Sequence, residues 1–267
     1  MRTRILIFVI TVTSFTNVFA QTSPRDIVTD RPDQTESPDL VPPGYVQIES
    51  GVTYERYADD FSNTQFEFNA TGFQSLIRIG VFPSMELRIA PQYAIYSSKV
   101  TIPGLTVFDN RNSGFTPLVI GTKIKITDET TNIPAIAFLF NVDLPKVASE
   151  DFENEYSNSE FRLAFSKQLS DRFSLGANGG ALYQLSTQSV IGLYTLALGA
   201  NIYENLGGFI EFYGFFYPDN DDIHYFDGGL TYLLSKNIQF DVSGGIGLTD
   251  NTTDFRVGAG LSVRLPR

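Results

Sequence analysis

The residues that could do chemistry in this chain are charged side chains placed at every second position among apolar ones. Arg78 stands between Ile77 and Ile79, Glu86 and Arg88 flank Leu87, and Lys123 and Lys125 flank Ile124. Asp143, Arg162, Glu211, Asp227, Asp241 and Arg256 continue the arrangement further along. A period of two sends successive side chains to opposite faces of a strand, so the charges gather on one face and the apolar residues on the other. Charges of both signs on one face make ion pairs across a sheet; in a closed sheet they line a lumen and set its ion selectivity. Catalytic chemistry has less support. His224 is the sole histidine and cysteine is absent, so neither a zinc cluster nor a thiol nucleophile is available. A hydrolase needs a serine within hydrogen-bond reach of His224. Its same-face neighbour is Phe226, and Ser186 and Ser189 fall in another loop. Asp219-Asn220-Asp221 begins like a calcium loop, but His224 stands where glycine is required. No catalytic residue, metal or cofactor is expected.

The elements that must position these charges are strands. Alternation predicts about twelve, at roughly 44–57, 64–81, 85–99, 115–127, 133–145, 159–170, 172–186, 189–202, 206–218, 222–235, 238–249 and 253–266. Each reaches the 9–11 residues that a tilted strand needs to cross a bilayer. Short turns such as Phe82-Pro83-Ser84 and Ser235-Lys236-Asn237 alternate with a set that includes two long loops, Val100 to Gly114 and Lys146 to Asn158. Short turns on one rim and longer loops on the other describe an antiparallel transmembrane β-barrel, apolar face outward and polar face inward. An even strand number then puts both termini on the short-turn, periplasmic side. Parity fails once: Phe66 and Phe68 occupy even positions while Ile77 and Ile79 are odd, which predicts a bulge or break near Ala70 to Phe73. In the last strand Leu261 is assigned to lipid and Ser262 to the lumen, where a charge should be tolerated.

The ends and the composition agree. Arg2 and Arg4, the apolar run Ile5 to Phe15 and Val18-Phe19-Ala20 form a secretory signal over residues 1–20. The apolar stretch is too short for a membrane-spanning helix. The net charge is −11, more negative once the signal is removed, which argues against nucleic acid as a partner. Residues 44–267 form the barrel domain. Residues 21–43 are polar and carry Pro24, Pro32, Pro38, Pro42 and Pro43, too many for a helix or a central strand. They form either a periplasmic tail or a lumen insert that pairs Asp30, Arg31, Asp33 or Glu36 with wall charges.

The stretch from Thr29 to Pro38, with Val41-Pro42-Pro43-Gly44 and Gln47-Ile48-Glu49-Ser50-Gly51, resembles the opening signature of a bacterial family of outer-membrane transporters grouped under meta-pathway phenol degradation. Ser75 to Phe82 followed by Met85-Glu86-Leu87-Arg88-Ile89 resembles its second signature. The resemblance implies a Gram-negative outer-membrane barrel and uptake of small, often hydrophobic or aromatic compounds. One departure is the C-terminus: Leu265-Pro266-Arg267 lacks the aromatic end that the barrel-assembly machinery reads. The expected function is diffusion of a small-molecule solute through a charge-lined lumen, with Arg78, Glu86, Arg88, Lys123 and Lys125 clustered near the inner mouth and attracting anions there. Lipid bilayer and lipopolysaccharide are the expected surroundings. The alternatives are an outer-membrane lipid-modifying hydrolase and a structural or adhesive barrel.

Overall fold

The computed structural model describes residues 25–61, 63–250 and 252–266. The signal segment expected at residues 1–20 lies outside them. Fourteen strand segments follow one another: β1 (Tyr45–Phe61), β2 (Thr64–Phe82), β3 (Met85–Ala90), β4 (Gln92–Ile102), β5 (Leu105–Phe115), β6 (Leu118–Thr127) and β7 (Ala135–Leu144), then β8 (Asn158–Gln168), β9 (Phe173–Gln184), β10 (Ser189–Tyr203), β11 (Leu206–Phe216), β12 (Ile223–Ser235), β13 (Ile238–Gly247) and β14 (Phe255–Pro266). Neighbours pair antiparallel, and β1 pairs with both β2 and β14, so the sheet closes on itself.

Two of the barrel's strands are broken in the middle, which reduces fourteen segments to twelve. β3 and β4 both pair with β2, and the register carries across the break between them, Arg78 opposite Arg88 and Gln74 opposite Gln92. Pro91 between them has no N–H to donate, but its carbonyl still accepts from Ser75 N at 3.0 Å. β5 and β6 form the next strand, broken at Thr116-Pro117. Opposite β4 the register joins Ala94 to Gly114, whereas opposite β3 it joins Glu86 to Lys123. One extra residue is therefore taken up at Pro117.

This corrects two expectations. The predicted bulge or break near Ala70 to Phe73 does not exist, because β2 pairs with β1 in a single register from Phe61–Thr64 to Val46–Ile79. Phe66 and Phe68 keep the lumen parity of Arg78. The predicted long loop Val100 to Gly114 is instead most of a hairpin, β4 turning into β5 through Pro103-Gly104, with Gly104 at φ 78°.

The wall is apolar outside and polar inside. Exposed side chains between the rims include Ile48, Leu87, Ile120, Leu163, Ile210 and Leu261. The largest fully buried side chains include Arg78, Lys123, Gln47, Glu49, Glu86 and Glu211. A soluble sandwich would show the reverse. Aromatic belts mark the two interfaces. Phe82, Phe173, Tyr203 and Tyr232 are exposed at the rim that carries the termini. On the other side Phe73, Tyr93 and Phe115 pack in a row, the first pair tilted and the second edge to face, with ring centroids 6.4 and 5.3 Å apart. From Phe73 to Phe82 the strand covers about 30 Å, or roughly 23 Å of bilayer at a tilt of ~40°. β1, β2, β4 and β5 run on past this belt as an exposed flap.

Candidate functional site

The N-terminal segment, residues 25–44, lies inside the barrel. It enters beside the β12–β13 turn, where Ile27 N donates to Lys236 O (2.8 Å) and Arg264 Nη2 donates to Arg25 O (2.6 Å). It crosses the lumen and leaves through a turn at Gly44 (φ 83°), a left-handed backbone that suits glycine. There Tyr45 N donates to Pro42 O at 3.1 Å and β1 begins. A loop in this position carries many backbone polar groups that must find partners. The wall supplies them from almost every side.

One side of the segment is an ionic cluster. The Asp30 carboxylate is 2.6 Å from Arg88, 2.7 Å from Lys123 and 3.1 Å from Arg78. Glu36 faces Arg88 at 2.6 Å and Lys123 at 3.3 Å. Arg78 also holds Glu86 (2.8 Å) and Glu49 (3.0 Å). Three cations thus meet four carboxylates, nearly all fully buried. The same side chains reach the segment's backbone: Arg78 donates to Asp39 O, Lys123 to Ser37 O, and Glu86 and Glu49 accept from Val41 N and Asp30 N. Burial pushes the Asp30 carboxyl up, but Arg78, Lys123 and Arg88 together outweigh it and hold it well below the usual carboxylate range. Glu36 is raised by burial, only partly offset by Arg88.

The opposite side is polar without matching cations. Gln34 N donates to Glu211 (2.8 Å), as does the Thr35 hydroxyl, and Arg162 donates to Gln34 O (2.8 Å). Asn178 clasps Glu36 through its backbone, accepting from N (2.7 Å) and donating to O (2.9 Å). Burial, then the nearby Glu211 and Asp227 charges, push the Asp33 carboxyl well above the usual range. At the third edge Arg31 binds Asp241 at 3.0 Å and lies in a notch where Gly51 pairs with Gly260; a Cβ on either would collide with its guanidinium. Gly80 likewise faces the backbone carbonyls of Val41 and Pro42 too closely for a side chain.

The segment leaves space above it. A cavity of about 350 Å³ is bounded by Asp33, Gln34, Arg88, Asn141, Arg162 and Arg256. A smaller one of about 170 Å³ shares Gln34 and Arg256 and reaches Tyr213 and Tyr225, stacked at 4.8 Å and 11°. A third of about 340 Å³ lies against Phe115, Leu118 and Val147 and shares Pro91, Gln92 and Thr116 with the first. The wall between lumen and exterior is therefore thin at the two strand breaks. Beyond the far belt, Phe152 of the β7–β8 connection packs on Tyr96 (5.4 Å), and Tyr96 on Phe68 (5.6 Å), which explains the lumen parity of Phe68.

The family described as "Putative MetA-pathway of phenol degradation" matches residues 29–265. The chain belongs to this family. Its span takes in the segment inside the lumen as well as the wall. No curated protein matches the chain. Among solved structures, an outer-membrane channel of Pseudomonas putida F1 is similar at 12% identity and a TM-score of 0.63, over 85% of this chain and 97% of that one. The translocator domain of the autotransporter NalP from Neisseria meningitidis is similar at 9% identity and 0.52, over 82% and 88%. The transport unit of the autotransporter AIDA-I from Escherichia coli is similar at 11% and 0.51, over 90% and 93%. At these identities the likeness is one of fold: an outer-membrane β-barrel.

The residues singled out in the sequence are distributed as follows. Asp30, Glu36, Arg78, Glu86, Arg88 and Lys123 meet in the ionic cluster. Lys125 does not join it; it pairs with Asp128 at 2.9 Å on the rim of the termini. Arg162 pairs with Glu160 (2.6 Å) and Arg256 with Glu55 (3.1 Å). Asp143 lies towards the far rim and accepts from Asn158 N and Nδ2. Asp227 sits directly across from Glu211. Ser262, assigned a tolerant lumen position, is fully buried. His224 faces outward, and its Nδ1 lies 3.1 Å from the Tyr194 hydroxyl, against Phe216 at 6.1 Å between ring centroids. Among the described residues no group of three or more His, Cys, Asp or Glu is arranged to hold a metal ion. Sequence reasoning passed over Asn178, Thr195, Gln239 and the glycines Gly51 and Gly80. The available signal was parity, since all five stand at lumen positions of their strands.

Proposed function

We propose that the chain is an outer-membrane channel for small molecules whose N-terminal segment closes the terminal half of the lumen. The observation that carries this reading is the assignment of the inward charges. In a barrel with a purely structural role the wall side chains themselves fill the interior. Here Arg78, Arg88, Lys123, Glu211 and Asp241 reach a separate segment that could leave without unzipping any strand. The family's description favours aromatic solutes, and the residual cavity of about 350 Å³ lies at the small end of ligand pockets. The rim of the termini faces the periplasm in this reading, and the acidic connections Glu150–Glu155 and Asp219–Asp222 face lipopolysaccharide. Reversal of lumen selectivity by the buried cations is not expected while four carboxylates neutralise them.

A second route is favoured by the shared lining at Pro91, Gln92 and Thr116, where the lumen cavity and the outer cavity approach each other across the broken wall. A hydrophobic solute would then reach the lumen from the lipid side. Conductance in planar bilayers, with the full chain and with residues 25–43 deleted, tests the main reading. The deletion should raise conductance severalfold. A deleted protein that still shows folded, heat-modifiable migration but conducts no better than the full chain would refute it.

A further inference from the structure

The ionic side of the segment is balanced, but the other side brings carboxyl groups together. Glu211 on β11 and Asp227 on β12 are directly opposite in the ladder and both point inward. Glu211 is fully buried and Asp227 is 5% exposed. Side chains at such a site lie about 5 Å apart at Cβ, where like charges repel. The segment brings a third carboxyl to this corner: Asp33 directly precedes Gln34, whose N–H donates to Glu211 at 2.8 Å. Glu211 is provided with donors, Gln34 N and the Thr35 hydroxyl, and Thr35 is joined to Thr195 on β10 at 2.7 Å. Asp227 Oδ1 is buried without a hydrogen-bond partner. The cations that face this corner are engaged elsewhere: Arg256 on β14 with Glu55, Arg162 on β8 with Glu160 and Gln34 O, and Arg31 with Asp241 on β13. Asp30 belongs to the far cluster and holds Arg78, Arg88 and Lys123.

We propose that the segment is a proton-dependent plug: Glu211 is ionised under its two donors, Asp227 and Asp33 carry protons while the segment is seated, and loss of those protons expels the Pro32–Thr35 stretch from the wall. This rests on the channel reading above. Two carboxyls forced together in a buried site do not both ionise readily, and the protons belong to the group rather than to one residue. With the segment gone, water reaches Glu211 and Asp227, and the mobile Asp33 no longer faces them. Seating therefore raises proton affinity. The seated state is favoured fully at low pH and loses ground as pH rises, by up to about tenfold in the unseated-to-seated ratio per pH unit for each proton released. The ionic cluster on the other side holds Asp30 and Glu36, so the Pro32–Thr35 stretch between them moves as a loop pinned at both ends.

The test is single-channel recording of the full chain from about pH 5 to about pH 9. Open probability should rise at least tenfold towards the alkaline end. Asp227→Asn removes one titrating group and lets the amide donate to Glu211; it should stay closed further towards the alkaline end and lose about one proton of pH slope. Asp33→Asn, on the segment and outside the wall, guards against a wall variant that fails to fold; it should reduce the pH slope by about one proton. A full chain that conducts equally at all pH values overturns this inference and leaves the channel reading standing. An Asp227→Asn protein that keeps the wild-type rise overturns it as well. A full chain silent at every pH, in preparations where the protein lacking residues 25–43 is silent too, overturns both.

Discussion

Replacing Asp30 with asparagine separates retention by charge from retention by shape. The Asp30 carboxylate lies within 3.1 Å of Arg78, Arg88 and Lys123, all three almost completely buried. Asparagine keeps the volume and one acceptor and removes the charge. Breaking a buried ion pair from one side costs about 3–5 kcal/mol, because the partner is left desolvated and alone. Glu36, Glu49 and Glu86 still face the same cations, so the lower end applies, about 3 kcal/mol. The loss falls on the seated segment and not on the barrel, whose ladders do not involve Asp30. At 1.4 kcal/mol per factor of ten, the unseated fraction rises roughly 150-fold. The sign of any pH effect also follows. Asp30 is held below its ordinary range, so its contribution is complete above about pH 4 and is lost only as pH falls through the depressed value. Asp30→Asn should therefore raise the open-to-closed ratio by the same factor at about pH 5 and about pH 8. Recordings in planar bilayers measure it, with heat-modifiable migration confirming the fold. A folded Asp30→Asn protein with wild-type conductance would show that the cations hold the wall together and do not hold the segment.

Other outcomes follow from the same geometry. Gly80→Ala should open the channel more than Gly260→Ala: the first Cβ meets the backbone carbonyls of Val41 and Pro42, the second only the flexible ends of Arg31 and Asp241, and paired conductance measurements rank them. Leu261→Arg puts a charge on the lipid face at a cost of roughly 2–4 kcal/mol near the midplane and should cut the folded fraction in outer-membrane preparations. Ser262→Arg should not be benign, since Ser262 is fully buried at the start of the segment's path; folded protein with raised conductance is the expected result. A peptide tag on the C-terminus, beyond Pro266 on the rim of the termini, should resist protease in intact cells and yield to it after the outer membrane is permeabilised.

The wall was legible because a bilayer enforces the two-residue pattern wherever a strand crosses it. Leu87, Ile120, Leu163 and Leu261 are outward for the same reason that Arg78, Glu86 and Asp241 are inward. The errors lie where that pressure stops. β5 is a strand, yet its Asp109 to Ser113 stretch is polar throughout, because the flap stands beyond the aromatic belt and needs no apolar face. Phe66 and Phe68 looked like a slipped register for the same reason: above the belt an aromatic residue can face the lumen mouth, and Phe68 does so against Tyr96. The slip at Pro117, inside the bilayer-spanning wall, hides between two short segments whose parities each look regular.

The segment was harder to read, and the reason is physical. Asp30, Arg31 and Glu36 announce charge, but their partners lie on strands 19 to 210 residues away, and nothing local distinguishes a solvated tail from a paired one. What distinguishes them is the opposing surface. A lumen wall that faces only water has no use for bare backbone, since any polar side chain is accommodated there. A wall that receives a chain must open space for it, and Gly51, Gly80 and Gly260 open it where Arg31 and the Val41–Pro42 carbonyls come down. Glycine at lumen parity, paired across a ladder as Gly51 is with Gly260, is the local signature of a docked segment. The glycines, as much as the charges, shape the segment's seat: the charges set how tightly the segment is held, and the glycines determine where it can lie.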